Sequence, residues 1–110
     1  MRKIEGEQVL MRIFIGESDK WERRPLHVAL LELLRSKHLA GATVLRGVAG
    51  FGANSIVHTA GILKLSADLP MIIEVVDSPE RLEPVLSEVD RMMNGGLITM
   101  ETVRVVRYEP

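Results

Sequence analysis

The residues of this chain best suited to handling a ligand are three glycines in one short stretch, Arg46-Gly47-Val48-Ala49-Gly50-Phe51-Gly52. Glycine reaches positive φ and lets a ligand come close to backbone N–H groups, which is how phosphate-binding nests are made. The same glycines also suit a plain bent strand end. No helix-forming stretch follows at once, so neither the dinucleotide fingerprint nor a Walker loop is satisfied. A second glycine turn, Gly95-Gly96, leads into a segment bearing Arg104 and Arg107. Their guanidinium groups could supply charge to a phosphate, although basic residues on a final strand equally remain solvated or pair with carboxylates such as Glu101.

Catalytic chemistry has less support. His27, His38 and His58 are scattered, with no i, i+4 pair and no matching carboxylate motif, so no metal set is expected. Ser55 and Ser66 lack an elbow motif and an evident base, so no catalytic residue is assigned. Glu17, Asp19, Lys20 and Arg24 form a mixed-charge loop that reads as a solvated connection, placed where it could also face a ligand. Trp21 within it reads as a packing anchor.

The elements that must position these residues follow from periodicity. Val9–Gly16, VLMRIFIG, is an apolar run suited to a pleated, buried surface and reads as the first strand. Pro25 can open a helix, and Leu26, Ala29, Leu30, Leu33 and Leu34 recur on one helical face until Gly41 stops it. The second strand is expected from Ala42 to Gly50, emptying into a long segment, 51–68, without a clean period. Met71–Asp77, MIIEVVD, has the continuous β-branched character of a central strand. Ser78-Pro79-Glu80 opens a second helix whose buried face is Leu82, Val85, Leu86 and Val89, and Pro84 predicts a kink or a late start. After the Asn94-Gly95-Gly96 turn, Leu97–Tyr108 is a long final strand.

The order β-α-β-β-α-β predicts an α+β, ferredoxin-like fold, with one four-stranded antiparallel sheet and both helices on one face. Right-handed crossovers place the first and third strands in the middle. Both read apolar on each face while helices can cover only one, so a second copy of the chain is the simplest cover for the other.

Bulk composition narrows the function. At 110 residues the chain is expected to form a single domain, 1–110, and 46% hydrophobic with 26% charged residues is ordinary for a folded protein. A net charge of −1 from 14 basic and 15 acidic residues gives no electrostatic footprint for nucleic acid. Cysteine is absent, which removes disulfides and thiolate chemistry. The opening MRKIEGE lacks the apolar stretch of a secretory signal, and no segment is long and apolar enough to span a bilayer, so a cytoplasmic location is expected.

Three stretches carry a resemblance to a known family: LAGATVLRGVAGFGA from Leu39 to Ala53, DLPMIIEVVD from Asp68 to Asp77, and GLITMETVRVVRY from Gly96 to Tyr108. With the opening GEQVLMRIFIGESDK, the chain resembles the nitrogen-regulatory PII signalling proteins, and more closely the PII-like proteins of unassigned function. Gly50-Phe51-Gly52 matches the GFG that opens the long PII T-loop. The resemblance implies a ferredoxin-like homotrimer that binds an adenine nucleotide, AMP, ADP or ATP, in clefts between subunits, and regulates a partner protein through the 51–68 loop. By family analogy that target is a membrane transporter. Gly50, Phe51, Gly52 and Ala53 would then line the nucleotide site, Gly95 and Gly96 would stand at the phosphate-contacting B-loop, and Arg46, Arg104 and Arg107 would be its cations. The chain departs from classical PII proteins in a shorter loop without the modified tyrosine. It also has Ala53-Asn54 where a glutamine segment would lie, and Leu97 where a lysine is expected.

The reading from residues and resemblance together is a non-enzymatic sensor. Two rivals share the order of elements. An acylphosphatase-type hydrolase would use Arg46 and Asn54, but the loop after the first strand lacks a glycine-rich cradle. An RNA-binding module needs stacking aromatics on its central strands, where Phe14 stands alone. A purely structural trimer is a third reading.

Overall fold

The computed structural model of the protein describes residues 2–52 and 68–110. Chain order among the described residues is β1 (Arg2–Gly16), β2 (Lys20–Trp21), β3 (Arg24–Pro25), α1 (Leu26–Ser36), β4 (Ala42–Arg46), β5 (Pro70–Asp77), α2 (Pro79–Met92) and β6 (Leu97–Glu109). Four strands form one antiparallel sheet in the order β4-β5-β1-β6, with the expected first and third strands in the middle.

Register shows how the core is made. Ile13 lies opposite both Ile73 and Ile98, and Met11 opposite both Val75 and Met100. Since directly opposed residues share a face, every second residue of the central strands points the same way. That set, Met11, Ile13, Ile15, Met71, Ile73 and Val75, is buried against Leu26, Ala29, Leu30 and Leu34 of α1 and Leu82, Val85, Val89 and Met92 of α2. Each fully buried aliphatic side chain of this kind contributes about 1.5–3 kcal/mol relative to exposure. Both helices therefore lie on one face of the sheet.

The other face carries Leu10, Arg12 and Phe14 of β1, alternating with the core set and aligned with Val76, Glu74 and Ile72 of β5. At its centre the Arg12 guanidinium donates to Glu74 at 2.7 Å and to Glu101 at 3.0 Å. The Glu74 hydrogen bond, reinforced by the charge of both carboxylates against some desolvation, raises the Arg12 guanidinium above its ordinary value, so this charge is permanent. Thr43 and Thr99 extend that triad into a polar row across the sheet, and the neighbouring row, Leu45, Ile72, Phe14 and Leu97, is apolar. Leu45 and Leu97 are 44% and 54% exposed there.

Several boundaries depart from the sequence reading, among them the end of α1, which stops at Ser36 with His38 at φ of 58° rather than at Gly41. The first strand begins at Arg2 rather than Val9. Its partner β5 pairs only from Val9 onward, so residues 2–8 pair with 103–109 of β6 alone, as a two-stranded ribbon extending past the sheet. Glu5, Gly6 and Glu7 are exposed, and a strand segment without a buried face needs no apolar pattern, which is why RKIEGEQ does not announce itself as strand. The second strand ends at Arg46 rather than Gly50: Gly47, next in register, still donates its N–H to the Pro70 carbonyl at 2.7 Å, but Pro70 has no N–H to return the bond. The second helix starts on time at Pro79 and runs through Pro84 to Met92. Pro84 is exposed and forfeits a single intrahelical bond, while Leu82 and Val85 beside it are fully buried and hold the backbone helical.

Candidate functional site

Four chain segments meet at one end of the sheet: the loop leaving β1, the segment leaving β4, the approach to β5 and the turn into β6. Antiparallel pairing requires this, since the ends of β1 and β4 lie beside the starts of β5 and β6. Between the four lies a cavity of about 310 Å³, at the small end of the range for ligand sites. Its wall takes Gly16 and Asp19 from the first segment, Gly50, Phe51 and Gly52 from the second, Asp68 and Pro70 from the third, and Asn94, Gly95, Gly96 and Leu97 from the fourth. Phe14 and Ile15 close the floor.

The Gly95-Gly96 turn requires its glycines locally. Gly95 and Gly96 have φ of 96° and 80°, in the region that side chains disfavour. A Cβ on Gly96 would also fall far inside van der Waals contact with the Phe14 carbonyl oxygen. This turn therefore lies directly on the backbone of β1. Phe51 is 76% exposed at the rim, an aromatic face available to a ligand or a partner.

Two carboxylates enter this wall in fixed positions. The Gly16 N–H donates to Asp19 Oδ2 at 2.9 Å, and the Ser18 N–H donates to Asp68 Oδ1 at 2.8 Å. Asp68 is seated directly over Gly16, where a Cβ would stand 2.7 Å from both of its oxygens. Asp19 was legible as part of a charged loop placed to face a ligand. Asp68 carries almost no such signal in the sequence. Its one signal is its place immediately before Leu69-Pro70, where the chain re-enters the sheet.

The residues expected at a nucleotide site divide into two sets. Gly50, Phe51, Gly52, Gly95 and Gly96 converge on the cavity, while Ala53 lies outside the described residues, as do Asn54, Ser55, His58 and Ser66. Arg46 does not line the cavity. It forms a two-pronged pair with Glu17, at 2.8 Å from Nε and 2.9 Å from Nη2. Arg104 and Arg107 lie on the ribbon. Arg104 is 4.0 Å from Glu5 with its side chain 77% exposed, and Arg107 is 3.3 Å from Glu109. At strand rise, seven residues separate Arg104 from Leu97 by roughly 23 Å, so within one protomer it is remote from the cavity.

The other candidate residues take ordinary places. Trp21 packs at the edge of the core, as expected of an anchor. Lys20-Trp21 and Arg24-Pro25 pair as a small hairpin in what reads as a plain loop. Among the described residues no group of three or more metal-ligating side chains comes together, and no helix is long and apolar enough to cross a membrane.

Comparison with known proteins agrees with this architecture. The model of the DUF190 family, Uncharacterized ACR, matches residues 8–105. A UPF0166 protein of Aquifex aeolicus (strain VF5) is 36% identical over 97 residues, covering 88% of this chain and 91% of that one. A UPF0166 protein of Methanocaldococcus jannaschii is 32% identical over 101 residues, covering 91% and 93%. Among solved structures, the apo form of CPII from Thiomonas intermedia K12, a nitrogen regulatory PII-like protein, is similar with a TM-score of 0.65 at 14% identity, covering 97% of this chain and all of that one. CPII bound to ADP, AMP and bicarbonate is similar with a TM-score of 0.67 at 12% identity, covering 93% and 98%. The chain belongs to the DUF190 (UPF0166) family and has a PII-like fold.

Proposed function

We propose that this protein is a non-enzymatic, cytoplasmic regulator that binds an adenine nucleotide in the cavity at the end of its sheet and acts on a partner protein through the 51–68 loop. The observation that carries the reading is the convergence of Gly50-Phe51-Gly52 and Gly95-Gly96, far apart in sequence, on one cavity of about 310 Å³. It is supported by the similarity in fold to CPII, which binds ADP and AMP. Nucleotide occupancy would regulate by population shift, since a ligand moves a loop only by binding one of its states more tightly.

The working unit of this reading is a homotrimer of single-domain chains. An open apolar sheet face and a two-stranded ribbon are both features that an isolated protomer stabilises poorly. Arg104 and Arg107 can reach a nucleotide only from a neighbouring protomer, and Arg46 only by leaving Glu17. Calorimetric titration with AMP, ADP and ATP tests the binding. Heat and a thermal shift with at least one of them are expected, and silence with all three would remove the nucleotide.

A further inference from the structure

The charge of the cavity wall bears on which nucleotide it takes, an inference that rests on the nucleotide reading above. Among the described residues the wall carries Asp19 and Asp68 and no lysine, arginine or histidine. Both carboxylates are half-buried and held by backbone N–H groups of the β1 connection. Each uses one oxygen for that bond, leaving Asp19 Oδ1 and Asp68 Oδ2 without a hydrogen bond from the described residues. Neither is in an ion pair with them, and Arg46, outside the wall, is paired with Glu17. An anchored, unneutralised carboxylate accepts hydrogen bonds from hydroxyl and amino groups and repels phosphate.

We propose that Asp19 and Asp68 are specificity-determining residues, which receive the hydroxyl or amino donors of the nucleoside and disfavour added phosphate. The site then ranks adenosine and AMP above ADP and ATP when no divalent cation is present. Gly16 has a part in this, because only a residue without a side chain leaves Asp68 its seat. Phe51 at the rim and the glycine turns fit the uncharged part of the ligand.

The experiment is a titration of the full chain with adenosine, AMP, ADP and ATP in EDTA at low and high sodium chloride. Each added phosphate is expected to weaken binding roughly three- to tenfold at low salt. Salt should strengthen ATP binding relative to adenosine, because screening relieves repulsion. The Asp68→Asn variant keeps an oxygen for the Ser18 N–H and loses the charge, and should bring ATP at least about threefold closer to AMP. Should that variant fail to fold, the salt response of the unaltered chain still decides. Affinity that rises from AMP to ATP, falls with salt and collapses in Arg104→Ala would put a neighbour's cation over the carboxylates and overturn the proposal, as would a flat series. Absence of binding by all four ligands would remove the nucleotide reading itself.

Discussion

Gly96 is where a single residue decides whether the site exists. Its φ of 80° and its contact with the Phe14 carbonyl mean that an added methyl meets backbone, which cannot rotate away. Gly96→Ala is expected to cost about 1–3 kcal/mol and to push the Asn94–Leu97 turn off β1. Chemical denaturation should show the loss, and nucleotide titration a weakening beyond that of a distant control of equal stability. Asp77 is the counterpart at the opposite end of β5. Buried to 3% exposure, it accepts from the Ala40 N–H at 2.9 Å and the Ser78 N–H at 2.8 Å, joining the end of α1 to the start of α2. Asp77→Ala leaves two amides without their acceptor and should cost about 2–4 kcal/mol by denaturation, without altering ligand preference. The glycine turn was legible because glycine pairs after a helix have few other uses. Asp68 and Asp77 were not, because both act through backbone N–H groups brought near only by folding.

Elements were legible in proportion to how one-sided their surroundings are. Helix α1 buries Leu26, Ala29, Leu30 and Leu34 on a single stripe, and its spacing could be read directly. The β2–β3 hairpin gave no such signal, since two-residue strands have no period and its turn residues, Glu22 and Arg23, are not turn formers. They nonetheless hold φ of 49° and 68°, the pair of left-handed conformations that asparagine and glycine adopt in type I′ turns. Trp21 against the core and Arg24 paired with Glu32 of α1 keep this turn in place. Replacing Glu22-Arg23 by Asn-Gly should therefore stabilise the protein by about 0.5–1.5 kcal/mol in thermal or chemical unfolding. An unchanged or lowered stability would mean that the Glu22 or Arg23 side chains make contacts worth more than the backbone relief.

At the scale of the whole molecule, the helices can dry only one face of the sheet, and that asymmetry was already visible in the two-sided apolar character of VLMRIFIG and MIIEVVD. Of the ribbon only the β6 half was, since LITMETVRVVRY is rich in β-branched residues, whereas RKIEGEQ carries no apolar alternation. Leu45 separates the two states this face could have. In a lone protomer its side chain is 44% exposed, so Leu45→Lys should change stability by no more than about 0.5 kcal/mol. If protomers cover this face, the same lysine must give up its hydration against apolar neighbours, at a cost of several kcal/mol. Light scattering behind a sizing column should give a trimer for the unaltered chain and smaller species for Leu45→Lys, with nucleotide binding lost in step if neighbours complete the cavity. An unaltered chain that runs as a monomer would remove the trimer, and a variant trimer of unchanged strength would move the interface to another surface, with the ribbon the next to test.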